Sequence, residues 1–345
     1  MCKKIKDGIN QMAKQDYETT KTTSSNNHID IFYFSNYFIL KHIHLVKYSS
    51  SINDDKELMF RIIEYIGYKR VKKHKLLKGK YKFKETYKHH TDIASVDVFH
   101  GLKDEYIGHP NFLLAVHDPS KELIDVLSSS CTNNGINLKV SKIELTYDFY
   151  NLSGKNRFEF FDFLKSHILL KSSRSKPSER YLTTFYANEL KRSSKGLKVY
   201  LRKDFRNKRL VRLELTFKRL MLKKLKISPS LKTIDSVNPS DYFLFMSLDE
   251  NKLVNHLKWK SRRTHKSDNS RKKFIHDELI ERHVENYVYG FLLESFSLMG
   301  KIVKLKSESG IVNYSRFLVP HKDFTQMFTN KTRHQGFLPA KTDSN

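Results

Sequence analysis

Apolar and polar residues alternate strictly over two neighbouring stretches of the chain. Leu197, Val199 and Leu201 alternate with Lys198, Tyr200 and Arg202, and Val211, Leu213, Leu215 and Phe217 alternate with Arg212, Glu214, Thr216 and Lys218. Successive side chains of a strand point to opposite faces, so the odd positions pack a core while the even ones face outward together. The polar segment Asp204 to Arg209 between them has hairpin length, which predicts antiparallel neighbours. Ser141 to Tyr150 follows the same parity, with Ile143, Leu145, Tyr147 and Phe149 on one face and Lys142, Glu144, Thr146 and Asp148 on the other. Earlier, Tyr81, Phe83 and Tyr87 alternate with Lys80, Lys82, Lys84 and Lys88, giving one apolar and one cationic strand face.

Between these strands the period changes. Asp54 to Tyr65 places two acids ahead of an apolar 3-4 pattern and predicts a helix. Strands are expected at Ala94 to His100 and Phe112 to His117, and a helix from Ser120 to Ser129 after the Asp118-Pro119 signal. A further helix is expected over Arg157 to Leu170, and a strand over Tyr181 to Ala187. The expectation is an α+β fold, a largely antiparallel sheet with helices on one face, followed by a mainly helical C-terminal region. The domains expected are a flexible lead-in over 1–27, an α+β domain over 28–228, and a helical, basic region over 229–345. That last region, reading as helices at Asp241 to Trp259 and Ser270 to Lys304, is expected to be a recognition or dimerising module.

Charge narrows the partners. The 345 residues carry 64 Lys and Arg against 37 Asp and Glu, a formal net charge of +27. Ten of the cations, with one Glu, fall in Lys69 to Lys88, and fifteen, with two acids, fall in Lys191 to Lys226. Such an excess predicts a polyanionic partner, and nucleic acid is the main candidate. Neither a basic amphipathic helix nor a lipidation signal supports a membrane surface. A lysine-rich proteome would account for part of the excess. With only Cys2 and Cys131, neither a disulfide framework nor a cysteine zinc site is expected. The first residues lack the apolar core of a signal peptide, so a soluble cytoplasmic protein is expected. No Gly-x-x-x-x-Gly-Lys-Ser/Thr loop is present, and ATP-driven unwinding is not expected of this chain.

The outward faces carry candidate chemistry. Glu144, Asp148 and Glu214 are carboxylates on neighbouring predicted strands, hard oxygen ligands suited to Mg²⁺ or Mn²⁺. The competing reading makes them salt-bridge partners of the many Lys and Arg. Tyr200 lies among Lys198, Arg202 and Lys203. Cations lower the cost of a phenolate, and a tyrosine so placed can attack a phosphodiester when a metal polarises the phosphoryl oxygens. Against this stand 18 tyrosines, most of which pack.

The series IELTYD at 143–148, TTFYANELKRSSKGLKVYLRK at 183–203 and VRLELTFKR at 211–219 resembles the trans-acting Rep family of rolling-circle plasmid initiators, related to mobile-element relaxases. Asp148 matches that family's strand ending in Asp, Phe185-Tyr186 its Phe-Tyr segment, and Ser193 to Lys203 its turn and Tyr-x-Lys strand. Arg212-Leu213-Glu214 matches its Arg-x-Glu strand. The chain departs at Ala187-Asn188, where the family has Gly-Ser, and by one extra residue between Tyr200 and Lys203. The resemblance covers 140–220 and implies a metal-dependent nickase. Tyr200 would be its nucleophile, with Tyr186 in reserve, Lys203 or Arg212 would stabilise the transition state, and Asp148, Glu214 and Glu144 would hold Mg²⁺ or Mn²⁺. His42-Ile43-His44 has the His-hydrophobic-His spacing of another class of rolling-circle nucleases, but 156 residues separate His44 from Tyr200, and a strand with alternating His is the reading adopted.

The expected partners are double-stranded origin DNA, the nicked single strand and a host helicase, with a homodimer conceivable. Lys80, Lys82, Lys84, Lys198, Arg202, Arg262 and Arg263 are the candidate phosphate contacts. Three alternatives stay open: a DNA-binding initiator without chemistry, a relaxase serving conjugative transfer, and an RNA-binding protein that stacks bases on Tyr81 and Phe83.

Overall fold

The computed structural model describes residues 37–152, 154–171, 178–179, 183–188, 193–203, 209–234, 236–274, 305–307, 310–312 and 318–337. They form an α+β fold on a large antiparallel sheet. In chain order the elements are β1 (Phe38–Ser50), α1 (Asp54–Tyr65), β2 (Lys69–Lys75), β3 (Tyr81–Lys88), β4 (Ser95–Leu102), β5 (Phe112–His117) and α2 (Lys121–Asn133). Then follow β6 (Lys139–Tyr150), α3 (Gly154–His167), β7 (Ile168–Leu170), β8 (Ser178–Glu179), β9 (Thr184–Tyr186), β10 (Lys195–Lys203), β11 (Arg209–Lys218) and α4 (Arg219–Lys224). Last come β12 (Phe243–Leu248), α5 (Glu250–Thr264), β13 (Leu305–Ser307), β14 (Gly310–Val312), β15 (Leu318–Pro320), α6 (Lys322–Lys331) and β16 (Thr332–Gly336).

Two compact units share this chain. One comprises Leu40–Asp148, Glu214–Val237 and Arg333–Asn345, and the other Met1–Ile39, Phe149–Leu213 and Asn238–Thr332. In the first, the strand order is β2-β3-β4-β5-β1-β6-β11, with β16 beside β1. Strands β2 to β5 form an antiparallel meander, and β5 returns antiparallel to β1. Ser141 Oγ donates to Lys47 O (3.1 Å) and Thr146 Oγ1 to His42 O (3.2 Å). As the donors advance along β6 their acceptors retreat along β1, so these strands run antiparallel too. Ile43, Val46, Val96, Val98, Leu114, Val116 and Leu145 are buried, as are Met59 and Ile63 of α1 and Leu123 and Leu127 of α2. The helix after Asp118-Pro119 starts where the sequence places it, with Ser120 Oγ accepting from Leu123 N–H, and runs on to Asn133.

In the second unit the order is β11-β10-β9-β8, alongside a three-stranded sheet β15-β12-β7. Its core is aromatic. Phe160 lies 4.8 Å from Phe149 and Phe245 lies 4.5 Å from Phe324, centroid to centroid. Two expectations are corrected here. Residues 241–259, expected to be one helix, form β12 followed by α5. Phe243 and Phe245 pair with Leu170 and Ile168 of β7, so burial on two facing strands outweighs a helix-compatible composition. For the same reason α3 ends at His167 and Ile168–Leu170 becomes β7. The predicted lead-in over 1–27 and most of the helix from Ser270 to Lys304 lie outside the described residues.

Candidate metal site and nucleic-acid groove

Three strands of the first unit bring His44 (β1), Glu144 (β6) and Glu214 (β11) together. One ligand atom from each lies within 4.8 Å of the other two. Both carboxylates are buried, Glu214 completely. His44 Nδ1 donates to Asp118 Oδ1 at 2.6 Å, which fixes the tautomer and turns Nε2 into the ligand nitrogen. Asp118 is held for this task by its backbone. It follows β5 with φ +44°, a region few residues other than Gly occupy, and its N–H donates to His44 O at 2.7 Å. The same turn that ends β5 therefore aims a carboxylate at the ring. Glu144 also accepts from Lys142 Nζ.

This donor set fits a divalent ion. Octahedral ligands at about 2.1 Å from a metal stand about 3 Å apart when adjacent and about 4.2 Å when opposite, so a ceiling of 4.8 Å needs only a small inward adjustment. An imidazole nitrogen with two carboxylates suits Mn²⁺ better than Mg²⁺, which prefers oxygen ligands throughout.

Of the carboxylates expected to share a metal, Glu144 and Glu214 meet, and Asp148 lies elsewhere. Its Oδ2 is 3.0 Å from His42 Nε2, and both side chains are at most 1% exposed. The His-x-His triplet is thus divided, one histidine hydrogen-bonded to a buried carboxylate and the other at the cluster. The parity that placed Glu144 outward would have found His44, had it been applied to β1.

One member of the cluster, His44, lines a groove of about 640 Å³ together with Asp118, Val71, Lys72, His74, Lys84, Lys88, Asp97 and His117 among others. Register explains how β2 reaches it. Lys72 pairs with Thr86, Thr86 with Asp97, Asp97 with Ala115, and Ala115 with Lys47 of β1, so one row of side chains runs across five strands on one face. Asp97 anchors the row, with Lys84 Nζ at 2.8 Å, His117 Nε2 at 3.2 Å and Thr86 Oγ1 at 2.6 Å. Burial alone would push its carboxyl up, but these three donors outweigh it and hold it well below the usual range. Lys47 is shifted down by burial and by the nearby Lys142.

The remaining predicted residues are dispersed. Lys82 is exposed, 4.0 Å from Asp104, and Lys80 Nζ sits 3.2 Å from His109 Nδ1. In the second unit, Tyr200 pairs with Thr184 and Lys198 with Tyr186. Both candidate tyrosines therefore lie on one face of β9 and β10 with Lys198, whose Nζ is 4.9 Å from the Tyr200 ring centroid. Arg202 donates to Lys203 O, Lys203 is exposed, and Arg212 is 2% exposed on β11. Arg262 and Arg263 are exposed on α5, where the Arg263 guanidinium lies 4.3 Å from the Trp259 ring.

No family model matches the chain, and no curated protein matches it. Among solved structures, one titled "Structure of Rolling Circle Replication Initiator Protein from Geobacillus stearothermophilus" aligns over 61% of this chain and 87% of its own, at 10% identity and a TM-score of 0.38. At that score the likeness carries no argument, and function rests on the geometry of the site.

Proposed function

We propose that the protein is a replication initiator that nicks one strand of a double-stranded DNA origin, using a divalent metal and a tyrosine nucleophile. The observation that carries this reading is the His44, Glu144 and Glu214 cluster, its two carboxylates buried and its histidine lining a cationic groove. A metal there would be held by those three side chains and would supply charge stabilisation to a phosphoryl oxygen. Asp118 orients His44, and the remaining cations bind phosphate. Tyr200 is the nucleophile, and Lys198 beside its ring favours the phenolate. Its oxygen attacks phosphorus, the 3′-oxygen leaves and takes up a proton, and the 3′-hydroxyl released primes synthesis. Mn²⁺ is the metal the donor set favours.

The test is a nicking assay on supercoiled plasmid carrying flanking DNA from the protein's own replicon, with Mn²⁺ or Mg²⁺. Wild type should give open circles and a denaturation-resistant protein-DNA adduct, and Tyr200→Phe neither. An adduct that persists in Tyr200→Phe but not in Tyr186→Phe moves the nucleophile to Tyr186. Tight origin binding with no nick under either metal would replace this reading with a non-catalytic initiator.

A further inference from the structure

Strand β2 carries an irregularity that the proposed nickase gives a use. Its register against β3 shifts between Arg70 and Lys72, leaving Val71 as an extra residue. Without the bulge, strict alternation from Lys69 would put Val71, Lys73 and Lys75 on the groove face. With it, Lys72 and His74 take that face, opposite Thr86 and Lys84, while Lys73 and Lys75 turn to the other. Bulges commonly re-aim side chains beside functional sites. Here the result is a row of cations directed into the groove that ends at His44.

Those cations differ from Lys84. Lys84 is neutralised by Asp97 at 2.8 Å, whereas Lys72, His74 and Lys88 form no ion pair with any described residue. Asp97 and Asp118 also line the groove, but they pair with Lys84 and His44, so Lys72, Lys88 and the His74 imidazole are left to favour an anion. A volume of about 640 Å³ lies in the range of small-ligand sites, room for a short stretch of one strand. Among the described residues that line the groove there is no row of large aromatic rings on which bases would stack, so the polyanion's backbone is what they can grip.

We infer that this groove seats single-stranded DNA through its phosphates, on Lys72, His74 and Lys88, and so leads an unpaired strand to the His44, Glu144 and Glu214 cluster. The inference rests on the nickase reading for the identity of the strand, and its test separates the two. Binding of fluorescein-labelled oligothymidylate is followed by anisotropy in EDTA, where no chemistry proceeds, across a salt series. The proteins are wild type, Lys72→Ala/Lys88→Ala, and the control Lys75→Ala/Lys78→Ala, which removes equal charge from the same basic stretch away from the groove. Removing one phosphate-binding cation should lower the slope of log affinity against log salt by about 0.7, so the groove variant should drop by about 1.4 and bind at least about tenfold more weakly. The control should retain the wild-type slope. Circular dichroism and thermal melts confirm that both variants fold.

Equal losses in control and groove variants overturn the inference, as does wild-type binding by the groove variant. Tighter groove-dependent binding of oligouridylate, or of a duplex, overturns the assignment to single-stranded DNA. The plasmid assay is scored separately. Groove-dependent binding by a protein that never nicks removes the nickase and leaves the groove, whereas full nicking by Lys72→Ala/Lys88→Ala removes the groove and leaves the nickase.

Discussion

The two faces of the β2–β3 ribbon both carry cations but hold them differently. On one face Glu85, 4% exposed, gathers Lys73 at 3.1 Å, Arg70 at 3.3 Å, His100 at 3.3 Å and the Tyr87 hydroxyl at 2.9 Å. On the other, Asp97 takes Lys84 and His117, and Lys72, His74 and Lys88 are left facing the groove. A cation with a buried carboxylate contributes to folding; one aimed into a cavity without such a partner contributes to binding. Counting charges along Lys69 to Lys88 cannot tell the two apart. Pairing can, and the bulge at Val71 decides which residue has which task.

The largest effect that would sharpen this contrast lies at the cluster the groove leads to. Glu214→Gln or Glu144→Gln removes a metal oxygen, and Mn²⁺ affinity should fall by more than about 100-fold, beyond the loss expected from a residue that only orients a ligand. Calorimetry or Mn²⁺ paramagnetic resonance measures it directly, without reference to nicking. Asp118→Asn leaves all three ligands in place but takes the carboxylate from His44 Nδ1, and should cost about tenfold to 100-fold. Unchanged Mn²⁺ binding in both Glu variants would show that the cluster is a structural ion network.

Glu85→Gln probes the folding face. Burial would raise the Glu85 carboxyl, yet hydrogen bonds from Lys73, Tyr87, Arg70 and His100 bring it down to about 2. A folded pKa below the ordinary 4.5 means stability that is fully present above about pH 4.5 and lost as pH falls towards 2. Because Arg70 and Lys73 are half-exposed, the contribution is discounted to about 2 kcal/mol. Urea melts should show wild type losing this increment on acidification, while Glu85→Gln is less stable at neutral pH and changes less across that range. Its oligothymidylate binding should stay at the wild-type level.

The strands β3, β6, β10 and β11 were legible in the sequence because apolar and polar residues alternate with a period of two, although β6 and β11 are buried on both faces. Glu144 and Glu214 followed from that parity. Asp148 shares the parity too, but whether an outward carboxylate meets a metal or a histidine depends on the strand beside it, and no periodicity reports that. His44 was hidden for a related reason: its partners Asp118, Glu144 and Glu214 come from three other parts of the chain, joined only by sheet order. The Val71 bulge leaves no mark in a run where six of seven residues are charged or His. Strand β12 was missed because a short continuous apolar run, Tyr242 to Met246, reads as a buried strand or as a buried helix segment alike.

The smallest expected effects test the contrast most closely, because they separate adjacent residues. Lys73→Ala removes a half-exposed pair with Glu85 and should destabilise the fold by about 0.5–1 kcal/mol without changing the salt slope of oligothymidylate binding. Lys72→Ala should do the reverse. It breaks no ion pair among the described residues, so stability should stay within about 0.5 kcal/mol of wild type while the salt slope falls by about 0.7. The same charge is removed from the same strand one residue apart, so general electrostatic attraction predicts equal binding losses for both. Strand alternation sends Lys72 and Lys73 to opposite faces, and the bulge puts Lys72 rather than Lys73 on the groove face, so it predicts which of the two loses affinity and which loses stability. If the two variants lose stability and affinity alike, β2 is a uniformly solvated basic edge and the division between its faces has no functional meaning.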